Sequence, residues 1–239
     1  MGVVRSVNVG TARAVNVLTG RTGIDKRPVT GPVRVRAPGP APGRSGLVSD
    51  EIVSTRHHGG NDQAVYAYAT EDLADWCAEL GRDLPPGTFG ENLTTEGLDL
   101  TGAVIGEQWA VGARLVLQVT SPRIPCATFA AWLDLPKWIR RFTERAAPGA
   151  YLRVLYPGPV AAGDPVVVTQ RPDHGLTIGT VFRALTLEPD LLPRLAAVPD
   201  LPHHIRDVVH SRLAAQRVAA RRLAAAADGP QPPRARATR

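Results

Sequence analysis

Cysteine is nearly absent from this 239-residue chain: Cys77 and Cys126 are too few for a disulfide framework or an all-thiolate zinc cage. Aromatic residues make up only 5%, which argues against the stacking platforms that single-strand nucleic-acid binders use. Two lysines stand against 26 arginines, a skew that fits the codon bias of a G+C-rich genome better than selection for phosphate contacts. No apolar run approaches the roughly 18 residues of a membrane span. The opening Met1-Gly-Val-Val-Arg-Ser-Val-Asn-Val-Gly10 has no basic segment leading into an apolar stretch. The expectation is a reduced, cytoplasmic protein without membrane contact. Neither a Rossmann glycine fingerprint nor a P-loop occurs, so the usual nucleotide signatures are missing.

What is present suits a folded domain. Hydrophobic residues reach 44% and charged ones 21%, ordinary globular usage. The net charge of +6 is unevenly spread. Residues 1–44 carry eight basic side chains and one acidic, and residues 212–239 carry seven and one, while the body between them is acidic. A nucleic-acid interface would gather that charge on one folded face, so nucleic acid is disfavoured as a partner.

Short β-favouring pieces (Val3-Val4, Val15–Leu18) open the chain, and Val29–Arg36 alternates like a half-exposed strand. Ala37–Gly43 is a Pro/Gly loop that no helix or central strand can accommodate. Thr70–Leu80 predicts a helix: Thr70 can cap it, Gly81 can end it, and Leu73, Trp76, Cys77 and Leu80 share one face. Strands follow at Trp109–Val111, Arg114–Thr120, Tyr151–Tyr156 and Pro165–Thr169, separated by Gly and Pro turns. This pattern favours a mainly β, barrel-like domain over residues 1–171, with one or two helices between strands. Helical spacing then begins at Ile178, with further helices at Leu191–Val198 and His203–Ala227, so a small three-helix domain is expected over 172–227. Residues 228–239 read as a disordered basic tail.

Ser121-Pro-Arg-Ile-Pro-Cys126 is the most informative segment. Its prolines fix a loop, and Arg123 can favour the Cys126 thiolate, which is both a nucleophile and a soft metal ligand. A plainly buried loop cysteine is an equal alternative. Cys77, on the apolar face of a helix, reads as packing. In Arg56-His57-His58-Gly59-Gly60 the glycines let the backbone turn tightly around a ligand or a second loop. In Phe89-Gly-Glu-Asn-Leu93, Glu91 and Asn92 can meet a polar ligand.

His58-Gly-Gly60 with Ala64-Val-Tyr66, then Phe89–Leu93, then Ser121-Pro-Arg-x-Pro-Cys126, in that order, resemble a MOSC domain, named for the C-terminal domain of molybdenum-cofactor sulfurases. Val7–Gly10, Arg21–Val29 and Pro172–Ile178 are similar to the stand-alone bacterial branch of 6-N-hydroxylaminopurine-resistance proteins. The resemblance implies a β-barrel-like fold, a pterin-based molybdenum cofactor, and Cys126 as catalytic residue and metal ligand. It further implies reduction of small N-hydroxylated substrates to amines, with electrons from an external donor protein. Arg123, Lys26, Arg27, Arg56, His58, Gly59 and Asn92 are the expected cofactor contacts. With two lysines and no room for a pyridoxal-phosphate domain, desulfurase activity is not expected. The alternative is a non-redox cofactor-binding or sulfur-carrier module with a Cys126 persulfide.

Overall fold

A computed structural model describes residues 1–14, 20–39, 44–53, 58–198 and 201–227. Val15–Leu18, Pro40–Gly43 and the tail at 228–239 lie outside them. β1 (Gly2–Val9) is followed by the short strands β2 (Arg13–Ala14), β3 (Arg21–Thr22), β4 (Arg27–Pro28) and β5 (Val33–Val35). β6 (Val65–Ala69) runs into α1 (Thr70–Leu80), and β7 (Leu93–Glu96) comes next. β8 (Gln108–Val111) and β9 (Leu115–Pro122) precede α2 (Ala127–Leu133) and α3 (Trp138–Arg145). β10 (Ala150–Tyr156), β11 (Gly158–Val160) and β12 (Pro165–Gln170) complete the strands, and α4 (Ile178–Thr186), α5 (Leu192–Ala196) and α6 (His203–Ala227) the helices.

Seven strands close into a barrel. Their hydrogen-bonding order is β12-β8-β9-β10-β6-β7-β1, and β1 pairs back onto β12 through Gly2–Val166 and Val3–Pro165. Closure leaves no free sheet edge in the ring, and β4 hangs from the far end of β1. Only β6 and β7 are parallel within the ring, and α1 supplies the crossover that a parallel pair needs. The expected mainly β barrel with C-terminal helices is therefore the observed architecture.

Three local expectations change. Ala69, not Thr70, caps α1, because β6 leads directly into the helix and Thr70 already lies in its first turn. The strand expected at Val29–Arg36 shrinks to Val33–Val35, since Gly31 (φ 78°) and Pro32 turn the chain first. Ser121 and Pro122 belong to β9, where Pro122 sits opposite Ala150 at the strand's end, so the loop proper starts at Arg123.

Two apolar clusters hold the molecule. The larger is aliphatic and runs without a break from the barrel (Val4, Ile105, Leu117, Leu152) into the helices (Val181, Leu195, Val209). Burying each such side chain contributes roughly 1.5–3 kcal/mol. The second cluster gathers most of the scarce aromatics: Tyr68, Trp76, Phe89, Phe129, Trp138 and Phe142 are all fully or almost fully buried in it. Residues 214–224 of α6 are exposed throughout. Among the described residues no helix is long and apolar enough to cross a membrane.

Candidate active site

An open cleft lies where the chain before β4, the segment between β5 and β6, and the end of β9 meet. Cys126, Arg123, Lys26, His58, Gly59 and Asn92 line it. Arg27 does not: successive strand residues point to opposite sides, and its 62% exposed side chain reaches Asp25 instead, Nε to Oδ1 at 2.6 Å. Arg56 and His57 lie outside the described residues.

One wall is tied to itself. Lys26 Nζ is ion-paired with Asp50 Oδ1 in the interior. The same Oδ1 accepts the Gly10 amide at 2.9 Å, and Asp50 Oδ2 accepts Asn92 Nδ2 at 3.0 Å. Asn92 also accepts the Tyr66 amide through Oδ1 at 3.1 Å, which locks it between β6 and β1. Asn92 and Lys26 thus border the cleft while their polar atoms serve the fold. Glu91, expected to meet a ligand, faces inward. Its carboxylate accepts Gly87 N at 2.6 Å, Phe89 N at 3.0 Å and Thr94 Oγ1 at 2.9 Å. Burial pushes its pKa up, against those hydrogen bonds.

The other wall is different. β9 runs buried from Val119 to Pro122 and delivers Arg123 into the interior, only 4% exposed. Among the described residues it meets no carboxylate, and its buried Nη1 has no hydrogen-bond partner. Its guanidinium carbon lies 3.7 Å from the centre of the Phe129 ring and 5.4 Å from that of Tyr66. Burial works against the charge, but the Tyr66 and Tyr151 phenols and the Cys126 sulfur outweigh it and raise the Arg123 pKa. Burial likewise raises both phenols, with Arg123 pulling the other way.

Cys126 is half-buried and free, at the start of α2, with an extended backbone (φ −128°, ψ 168°) and no side-chain cap bond. Phe129 and Leu133 anchor α2 in the aromatic cluster, so packing fixes where the thiol stands. Across the cleft, Tyr151 Oη lies 3.4 Å from His58 Nδ1. Gly59 (φ 83°) must be glycine, because a Cβ there would meet the Arg44 carbonyl oxygen at 2.9 Å. Cys77 packs instead beside Leu84, whose amide points at its sulfur from 3.3 Å.

Asp50, Tyr151 and Gln63 line the cleft without any signal in the local sequence. The pairing of Lys26 with Asp50 spans 24 positions, and only the fold brings them together.

Residues 54–167 match the MOSC domain family. Protein YflK of Bacillus subtilis is 32% identical over 157 residues, covering 66% of this chain and 67% of that protein. The chain belongs to the MOSC domain family. A reductase of Gibberella moniliformis is 30% identical over 165 residues, but these cover 66% of this chain and just 28% of the fungal protein. The crystal structure of YiiM from Geobacillus stearothermophilus superposes with a TM-score of 0.73 at 28% identity, covering 89% of this chain and 100% of that one. Within the MOSC region fall His58, Gly59, Asn92, Arg123 and Cys126, whereas Lys26 and Asp50 precede it.

Domains of this family are associated with the molybdenum cofactor, and the residues present fit such a group. Among the described residues no three His, Cys, Asp or Glu side chains converge as a metal cage. A metal here would therefore take one soft ligand from Cys126 and the rest from its own cofactor. An anionic cofactor would find Arg123 un-neutralised.

Proposed function

We propose that the cleft holds a phosphorylated pterin–molybdenum cofactor with Cys126 as the protein's ligand, and that the protein reduces N-hydroxylated compounds to amines. The observation that carries this reading is a half-buried free thiol and a buried, un-neutralised guanidinium three positions apart on one cleft wall. The family membership and a relative named as a reductase support it. When bound, the cofactor supplies the redox chemistry. In the net reaction, R–NHOH takes up two electrons and two protons and gives R–NH2 and water.

The chain's own residues have separable tasks. Arg123 orients the anionic part of the cofactor. Phe129 and its aromatic neighbours keep water from behind the thiol, which strengthens electrostatic interactions there. Tyr151 Oη and His58 Nδ1, 3.4 Å apart, border the edge of the cleft. Electrons come from an external donor protein. Such an activity would detoxify N-hydroxylated bases.

The test is to load the purified protein with cofactor and supply 6-N-hydroxylaminopurine with a chemical reductant. The reading expects the amine to form, and Cys126→Ser to abolish it. No amine from the loaded parent sinks the substrate assignment. Sulfide released by reduction from the parent but not from Cys126→Ser, in protein without molybdenum, would establish the sulfur-carrier alternative instead.

A further inference from the structure

We propose that the outer half of α6, with the groove between it and α5, docks a small acidic redox protein that delivers the electrons of the reaction proposed above. The inference rests on that reading for the partner's role, while the surface itself is argued from the helix.

α6 outruns the body it packs on. Ile205 and Val209 are buried, and Leu213, at the same four-residue spacing, packs half-buried against the same core. The stripe continues at helical spacing through Gln216, Ala220 and Leu223. There, among the described residues, nothing covers it: residues 214–224 are exposed throughout, Leu223 to 73%. α5 is only five residues long, so its Pro193 and Ala196 leave an open groove against Leu213, Gln216, Arg217 and Ala220. The groove has a cationic border. Asp207 is the last acid of α6, and Arg212, Arg217, Arg221 and Arg222 follow it. Arg212 donates to the Leu185 carbonyl, Nη1 to O at 2.6 Å. The other three have no acid at three or four residues' distance along the helix, so no ion pair within α6 is open to them.

Charge selects the occupant. A second copy laying its own α6 into the groove would set arginine against arginine, and like charges oppose such a contact. Several acids of the body are already engaged, Glu79 with Arg141 and Arg145, Asp62 with Arg153, and Asp50 with Lys26. An anionic membrane surface calls for a broad face of bulky apolar residues, whereas this stripe offers Leu223 among alanine and glutamine. The acidic face of another protein fits both the arginines and the groove. Position supplies the role. Asp62 acts on the charge of His204, against the burial that lowers its pKa, so α6 begins close to Asp62. Asp62 belongs to the short turn Asn61–Gln63, and Gln63 lines the cleft. From His204 to Arg221 the helix rises about 26 Å, close to the diameter of a small domain. One small protein seated along α6 therefore extends from the arginines to the rim of the cleft. Electron-transfer partners meet through small, charge-steered contacts, which an exposed basic helix beside a shallow groove provides. Each turnover takes one electron from each of two successive reduced carriers, which leave oxidised. With two protons these convert R–NHOH into R–NH2 and water.

The experiment uses flavodoxin, a small acidic flavoprotein, as the probe. Titrated into the full chain at low ionic strength, it should bind the parent, and Arg217→Glu with Arg221→Glu should weaken binding by about tenfold or more. Arg34→Glu with Arg36→Glu removes the same charge from exposed positions on the barrel and should bind as the parent does. If the reversed helix fails to fold, Arg217→Gln with Arg221→Gln carries the same test at about threefold. In the cofactor-loaded protein with 6-N-hydroxylaminopurine, the helix variant should slow amine formation driven by reduced flavodoxin by about tenfold and leave that driven by dithionite unchanged. A parent that does not bind flavodoxin, equal weakening by the barrel variant, or flavodoxin-driven turnover indifferent to the helix charges overturns the docking surface. So does helix-dependent binding of anionic vesicles or duplex DNA without helix-dependent binding of flavodoxin. Amine formed with neither reductant would sink the reductase reading, and helix-dependent flavodoxin binding would survive it.

Discussion

Lys26 and Arg123 border the same cleft, and both are buried, yet one is paired with a carboxylate and the other lies on an aromatic ring. Around Lys26 the polar atoms are satisfied in a closed set: Asp50 joins the lysine, the Gly10 amide and Asn92. Around Arg123 a buried donor is left over, and a half-buried free thiol lines the cleft. A wall whose partners are all supplied by the chain is part of the scaffold. A wall with a charge and a donor to spare is the one the proposed cofactor would use. Bordering a cleft and serving a ligand are therefore separate properties, which substitutions can pull apart.

The largest effect should come from opening the closed wall. Asp50→Ala strands a buried lysine and two further donors and should cost about 3–5 kcal/mol in urea unfolding. The double change Lys26→Met with Asp50→Leu should recover the part due to the stranded lysine, while the Gly10 amide and Asn92 Nδ2 stay unpaired, and no recovery would mean the pair is not the scaffold described. Glu91→Gln comes next. The amide can no longer accept from Gly87, Phe89 and Thr94 together, so about 1–3 kcal/mol should be lost.

On the open wall the balance reverses. Arg123→Leu removes an uncompensated charge, so stability should stay within about 1 kcal/mol of the parent or rise. Metal loading and anion affinity should nevertheless fall sharply. A loss of stability as large as that of Asp50→Ala would erase the distinction between the walls.

The smallest effect lies away from both and sharpens the rule about unpaired charge. Burial, then Asp75, Glu71 and Asp99, push the Asp72 carboxyl up to about 6. A raised acid favours the folded state while protonated, so its contribution is present below pH ~4 and lost as pH climbs to ~6. Asp72→Asn should therefore be the more stable chain at pH 7, by about 1 kcal/mol or less, and equal to the parent below pH ~4. Melting curves at the two pH values check both halves.

Much of this molecule could be read from its residues, for reasons that differ by element. α1 was legible because its apolar spacing and Gly81, which adopts φ 63°, are local signals. α6 was legible at both bounds, and β9, β10 and β12 announced themselves through runs of branched residues. The loops that meet at the cleft could be recognised as a set, but their division of labour could not. Asn92 and Glu91 sit in a motif that invites a ligand, and tertiary partners far along the chain claim their polar atoms. Arg27 follows Lys26, and the alternation of an extended chain sends the two side chains to opposite sides. The state of Arg123 was the least legible. Its lack of a carboxylate is a property of the whole interior, and the Phe129 that replaces one sits in a helix only the fold turns toward it.

In the proposed function Cys126 binds the metal on the open wall. Molybdenum content by elemental mass spectrometry tests it most directly, in the parent and in Cys126→Ser purified alike from a host that makes the cofactor. Molybdenum should be present in the parent and lost from a Cys126→Ser chain with unchanged melting temperature. Equal metal in both chains, or none in the parent, would contradict it.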